Sequence, residues 1–271
     1  MIGVLTAHLF SDKMPFTLSH PLSIVPLART RLVFSALVIG SMSPDFEYFV
    51  QLDQSGHASH SMLGVALFCL PASLLVYWLW HGFMKLFLVQ ILPTAAQRKL
   101  APLCASAPAR PVAQAIWVVA SVIVGAVTHV VWDSFTHPWG WPVQNFEFFH
   151  YQVTDNGFLP MKVFKFLQYG SSIGGLALLA WLGIRWYRQA ATIETKPLFT
   201  ARTRWALLGS IIGVAVIVGV SLAWRRFPPT VDMDHLKAFI VRSLVGVMAF
   251  VLWETIVLSI CYRWRFGRPK F

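Results

Sequence analysis

The sequence predicts an all-α, polytopic membrane protein with about five or six transmembrane helices and a short or re-entrant helix near its N-terminus. Three observations predict it. Of 271 residues, 56% are hydrophobic and only 12% are charged, well under the roughly 25% charged fraction of an ordinary soluble domain. Mean hydropathy is +0.62. Apolar runs of about 20 residues, the length that crosses a bilayer core at 1.5 Å rise per residue, recur along the chain.

The elements follow in order. The opening M-I-G-V-L-T-A-H-L-F-S-D-K lacks a basic n-region and a small-residue cleavage site after a long apolar core, so it is not read as a signal peptide. Residues 1–13 read instead as an N-terminal extension before Met14. The apolar run 32–42 is too short to span alone, and Pro44 and Asp45 interrupt its continuation, which suits a half-buried helix packed among the others. Runs 62–91, 113–132, 169–187, 204–224 and 239–262 are long enough to span. Residues 93–111 and 138–160 read as loops. The ionisable residues His20, Asp45, Glu47, Asp53, His57, His60, His129, Asp133, His137, Glu147, His150 and Asp155 all precede residue 156. Residues 14–155 are therefore expected to carry the chemistry, and 156–271 to be hydrophobic scaffold within one integral unit.

The net charge of +11 comes from Lys and Arg scattered between apolar runs, without a basic face interleaved with aromatics. That pattern excludes nucleic-acid binding and fits positive loops against anionic lipid. Arg98, Lys99 and Arg110, then Arg185, Arg188, Lys196, Arg202 and Arg204, then Arg263, Arg265, Arg268 and Lys270 place three loop regions on the cytoplasmic side. Alternate counting puts 45–61, 133–168 and 225–238 on the opposite side. Arg225, Arg226 and Lys237 run against this count, with Asp232 and Asp234 partly offsetting them. Cys69, Cys104 and Cys261 form no C-x-x-C pair, so any metal must rely on His and carboxylate.

His129 and Asp133 are four apart, which puts them on one helix face with roughly 6 Å between Cβ atoms. An imidazole and a carboxylate so placed can grip one metal ion. The same pair also suits a buried hydrogen bond, but ionisable groups at the edge of a membrane helix are costly and are usually there for a reason. His60 opens the 62–91 run in G-H-A-S-H-S-M-L-G, with Ser59 or Ser61 available as a cap. Asp45 closes the short run. Topology brings Asp45, His60, His129 and Asp133 to one membrane face from three helix ends, a donor set that suits zinc, manganese or iron. His57 and His235 read as loop histidines, and His81 as packed in an aromatic belt. Glu147 and His150, three apart, suit either a second ligand pair or an interfacial polar edge. Trp139 and Trp141 read as headgroup anchors.

The series M-P-F-T-L-S-H-P, L-V-I-G-S-M-S-P-D-F-E-Y-F, S-H-S-M-L-G and T-H-V-V-W-D-S-F-T-H-P-W-G-W resembles the bacterial DUF4184 family of membrane proteins from Met14 to about His150. The order of ligand-type residues is also similar to the inner-membrane metal-dependent hydrolase family DUF457, and more distantly to zinc-dependent phospholipase C and P1-type nucleases. These resemblances imply His20 as a first ligand, Asp45, His60, His129 and Asp133 as the central set, and His137 as a looser ligand. Glu47 stands where the membrane hydrolases carry a second acidic residue. His57 is displaced from their pattern, and the second His-x-x-x-Glu of the phospholipases has no clear counterpart, so one or two divalent ions are implied, zinc foremost.

The function so implied is metal-dependent hydrolysis at the surface of the inner membrane, on the non-cytoplasmic side. A lipid or other phosphoester would be the substrate and Asp45 or Glu47 the catalytic base. A non-catalytic transport or assembly factor, its His/Asp cluster structural or lining an ion path, is the alternative. His20 can join the other ligands only if residues 19–27 and 32–42 form a re-entrant hairpin turning at 28–31, and that arrangement is favoured.

Overall fold

The computed structural model describes residues 17–52, 58–105, 111–154, 161–230 and 233–267, and most of these residues are helical. The suggested extension 1–13, and Asp53, His57 and Asp155, lie outside the described residues. The helices are α1 (Phe34–Met42), α2 (Phe46–Gln51), α3 (Met62–Ile91), α4 (Thr94–Ala105), α5 (Pro111–Thr136), α6 (Trp141–Asn145), α7 (Val163–Gln189), α8 (Ala201–Arg226) and α9 (Met233–Phe266). Among the described residues, five helical stretches are long and apolar enough to cross a membrane: Met62–Ile91, Gln114–Asn145, Val163–Gln189, Ala201–Arg226 and His235–Phe266. The expected all-α polytopic architecture is therefore present. Among the described residues it departs from helix in a two-stranded antiparallel ribbon, β1 (Gln152–Thr154) with β2 (Met161–Lys162), at the end of the predicted 138–160 loop, while the region read as the loop 93–111 instead carries the helix α4.

The N-terminal segment is a helical hairpin. Thr17–Arg29 forms a 3-10 helix, because Pro21 and Pro26 lack the N–H groups that an α-helical ladder needs. Thr30 turns the chain by donating from Oγ1 to the Leu27 carbonyl (2.7 Å) and accepting from the Leu32 amide (3.2 Å). α1 then runs back over nine residues, about 14 Å and far short of a span. The Val33 amide donates to Ser121 Oγ on α5 at 2.8 Å, which anchors the returning arm.

Contacts divide the chain into two units. The first comprises described residues within 1–47, 54–74 and 111–184, the second those within 48–53, 75–110 and 185–271. In the first, α1 crosses α5 at a pair of glycines. A β-carbon at Gly40 would strike the Val122 backbone, and one at Gly125 would strike the Leu37 carbonyl and the Ser41 amide. Only hydrogen at both positions lets the two backbones come this close. α3 begins in the same unit with Ser61 as its N-cap, accepting from the Gly64 amide at 2.9 Å. After the α-helical Met62–Gly64 it widens into a π turn, Val65–Cys69, just before Pro71. Proline can neither donate to nor fit against the carbonyl four residues back, and the wider turn accommodates it.

In the second unit Leu86, Phe87 and Ile91 of α3 pack with Ile211 of α8 and Tyr262 of α9. α8 and α9 approach closely where Gly219 meets Gly246 and Val247. Lys99 caps the end of α7 by donating to the Tyr187 carbonyl at 2.6 Å, and Arg204 Nη1 binds the Leu92 carbonyl (3.3 Å) and Thr94 Oγ1 (2.9 Å). His81 packs on Tyr77 with ring centroids 4.4 Å apart, and His235 Nδ1 lies 3.1 Å from Thr230 Oγ1. Among the described residues, every group of three or more side chains able to hold a metal lies in the first unit.

Candidate metal centre

Four short pieces of chain carry the polar core of the first unit. The 3-10 arm of the hairpin supplies His20. The turn Ser43–Asp45, started by Pro44 where α1 ends, supplies Asp45. The turn Ala58–His60, just before the Ser61 cap of α3, supplies His60. One face of α5 supplies His129 and Asp133. All five side chains are buried, Asp45 and His129 completely.

Their donor atoms converge. His129 Nε2 lies 3.2 Å from Asp133 Oδ2 and 3.6 Å from Asp45 Oδ1. His60 Nε2 lies 3.4 Å from Asp45 Oδ1 and 3.6 Å from Asp133 Oδ2. These four distances close a ring in which imidazole nitrogens and carboxylate oxygens alternate. Metal bonds of about 2.0–2.1 Å meeting at the tetrahedral angle separate their donor atoms by about 3.3–3.4 Å, in the middle of the observed range. Charge-assisted hydrogen bonds would be shorter, at about 2.7–2.9 Å. Indeed Asp45 Oδ1 and Oδ2, Asp133 Oδ1 and Oδ2, His129 Nε2 and His20 Nε2 are buried and make no hydrogen bond among the described residues. His20 stands to one side, its ring stacked on His129 at 3.6 Å and its Nε2 3.5 Å from Asp133 Oδ1, the oxygen turned away from His129 and His60. The donors form two overlapping trios, His20–His129–Asp133 and Asp45–His60–His129, each within 4.8 Å.

Charge makes the case for an ion stronger. Two buried carboxylates without hydrogen bonds are expensive, whereas a dication between them leaves a neutral cluster. Burial would raise the Asp45 carboxyl, but His129, His60 and His20 around it hold it below its ordinary value. Burial and the neighbouring His129 push the His20 imidazole down to about 4, so it is neutral at pH 7. Burial would also lower His60; the carboxylates of Asp133 and Asp45 outweigh it and raise that imidazole to about 9. A proton on His60 thus offsets part of the carboxylates' charge.

Surrounding groups orient the ligands. His129 Nδ1 lies 2.8 Å from the Ser41 carbonyl, which can only accept, so Nδ1 carries the proton and Nε2 is left with a lone pair. His137, the looser ligand of the sequence reading, is placed differently: both of its ring nitrogens are committed to protein groups. The Lys165 ammonium donates to Gln168 Oε1 at 3.2 Å, which orients the amide so that its NH2 donates to His137 Nε2 at 3.0 Å. Nδ1–H then donates to the Asp133 carbonyl at 3.0 Å. Trp139, read as a headgroup anchor, instead packs inward, stacked on His137 (5.2 Å) and edge-on to His60 (5.9 Å), whereas Trp141 is exposed.

Glu47, read as a candidate base, accepts on Oε2 from Ser59 Oγ at 2.7 Å and from the Ser59 amide at 3.3 Å. Of the pair Glu147 and His150, both are exposed and His150 Nε2 donates to the Val143 carbonyl at 2.8 Å; neither belongs to the ligand trios. Sequence reading missed Ser41, Gln168 and the inward role of Trp139. Gln168, a fully buried amide near the start of an apolar helix, was the one with a visible signal.

A family model described as a domain of unknown function, DUF4184, matches residues 14–260. No curated protein and no solved structure matches the chain.

Proposed function

Because this chain belongs to the DUF4184 family, whose description assigns no activity, we propose from its site alone that it is a metal-dependent hydrolase of the membrane surface, holding one zinc-type divalent ion. His60, His129, Asp45 and Asp133 would be the ligands, with His20 beside Asp133 as a further or exchangeable donor. One observation carries this reading: four buried donor atoms close a ring of contacts at 3.2–3.6 Å, separations that fit bonds to one shared zinc-type ion. When bound, a zinc-type ion supplies a water of pKa about 7 and polarises a phosphoryl or carbonyl oxygen. The chain's own part is to keep the site dry, to hold both imidazoles in the ligating tautomer and to balance the ion's charge with two carboxylates. A phosphoester of a lipid is the substrate class that suits ligands gathered at helix ends. The positive-loop count supports a site on the non-cytoplasmic face of a bacterial inner membrane.

A second reading, a non-catalytic membrane protein with a structural ion, has one observation in its favour. Every ligand is buried, and closed four-coordinate sites are typical of structural zinc, whereas catalytic ones keep an open position. The two readings share a first test. Elemental analysis of detergent-purified protein should find close to one transition-metal ion per chain, and none in the His129→Ala/Asp133→Ala variant. Absence of metal from gently purified wild type would sink both. Phosphodiesterase activity that is lost on chelation and restored by zinc would then decide for the hydrolase.

Metal affinity should also depend on pH. The ion must displace the proton that His60 holds up to about 9. From this proton alone, affinity should rise roughly tenfold per pH unit between about 7 and 9 and level off above. A titration flat across that range would show that His60 is not a ligand.

A further inference from the structure

We propose that Glu47 is a positioning residue for this centre: through Ser59 it fixes the proton of His60 on Nδ1, so that the Nε2 lone pair points at the ion. The inference rests on the metal reading above. A serine hydroxyl has one hydrogen, and a carboxylate can only accept. At 2.7 Å from Glu47 Oε2, the Ser59 hydroxyl spends its hydrogen there. Its lone pairs are left facing His60 Nδ1 at 3.1 Å. The one way to make that contact a hydrogen bond is for Nδ1–H to donate. A neutral imidazole has a single N–H, so Nε2, between Asp45 Oδ1 and Asp133 Oδ2, bears the lone pair.

The arrangement answers a problem set by the chain. His129 sits on a long helix and finds a backbone carbonyl, that of Ser41, to fix its tautomer. His60 sits on a three-residue turn and is oriented by a side chain instead. Ser59 is held from both sides, by Glu47 twelve residues earlier and by Cys69 Sγ, which lies 3.4 Å from the Ser59 carbonyl. A carboxylate, a hydroxyl and an imidazole in series thus lead to the metal, the same logic as carboxylate–histidine–metal triads with one serine inserted. Glu47 acts here by orientation and not as the base that touches substrate.

Cobalt(II) titration of the detergent-purified full chain, read by its visible tetrahedral absorption, tests this. Glu47→Ala and Ser59→Ala should each weaken cobalt binding about 10- to 100-fold while the band keeps its tetrahedral intensity. The double variant should be no weaker than either single one, because the two residues act as one relay. Glu47→Gln, whose amide oxygen can still accept from Ser59, and Ser59→Thr, which keeps the hydroxyl, should restore most of the affinity. Wild-type affinity in both alanine variants would overturn the relay, as would losses that simply add in the double variant. Wild type that takes up no cobalt overturns the metal reading and the relay together. If Glu47→Ala fails to fold, the Ser59→Ala and Ser59→Thr pair carries the same test.

Discussion

Asp133→Ala is expected to leave the protein unable to retain metal. Asp133 is the carboxylate nearest the centre of the cluster: Oδ2 faces His129 and His60, and Oδ1 faces His20. Structural zinc sites are worth about 10–16 kcal/mol, roughly 2.5–4 kcal/mol for each of four ligands, so losing one costs about 10²–10³-fold in affinity. Removing Asp133 also leaves a dication facing one carboxylate in a buried site, which places the loss at the upper end of that range. The measurement is thermal melting of detergent-purified protein with and without zinc. In wild type, zinc at about a thousand times its dissociation constant should add about 4 kcal/mol of stability, and in Asp133→Ala the same zinc should add no more than about 0.4–1.4 kcal/mol. A variant stabilised by zinc as much as wild type would remove Asp133 from the ligand set.

Gly125→Val should be strongly damaging although it alters no ligand. The new β-carbon would meet the Leu37 carbonyl, the Ser41 amide and the Gly40 backbone, none of which can rotate away. Overpacking of a core typically costs about 1–3 kcal/mol, and a clash with backbone belongs at or above the top of that range. The damage should reach the metal. Ser41 follows Gly40 on α1, its carbonyl orients His129, and Asp45 lies one turn further on. Forcing α1 from α5 therefore separates Asp45 from His129. Metal content should fall together with the melting temperature, although every ligand remains. Gly174→Ala on α7, where nothing lies within 4 Å, is the control and should cost neither. Equal behaviour of the two variants would mean that the glycine crossing does not hold the site together.

The five spans were legible because hydrocarbon thickness sets a length that any long apolar run must meet, and runs such as 62–91 and 204–224 meet it without reference to neighbours. His129 and Asp133 were legible for the complementary reason: ionisable groups on one face at a membrane helix end stand out against their surroundings. His20 was harder. Whether it reaches the others depends on the hairpin, and the hairpin depends on Pro21, Pro26, the Thr30 turn and the packing of α1 on α5. His137 shows the limit of residue type. It has the right chemistry and lies four residues from Asp133, yet its second nitrogen meets Gln168, a residue 31 positions away on another helix.

The sequence by itself determined what must be buried in lipid and which side chains were costly enough there to carry chemistry. Hydrophobic length and the expense of charge are local properties, written in composition and spacing. Only the tertiary structure decided how those side chains divide the work. It brought Asp45, His60, His129 and Asp133 into one ring of contacts at 3.2–3.6 Å, turned Glu47 toward Ser59, and occupied both nitrogens of His137. Such roles depend on which atoms come within about 3 Å of one another, and that distance is set by a glycine crossing, a proline-shaped hairpin and short turns bringing together chain segments up to 113 residues apart.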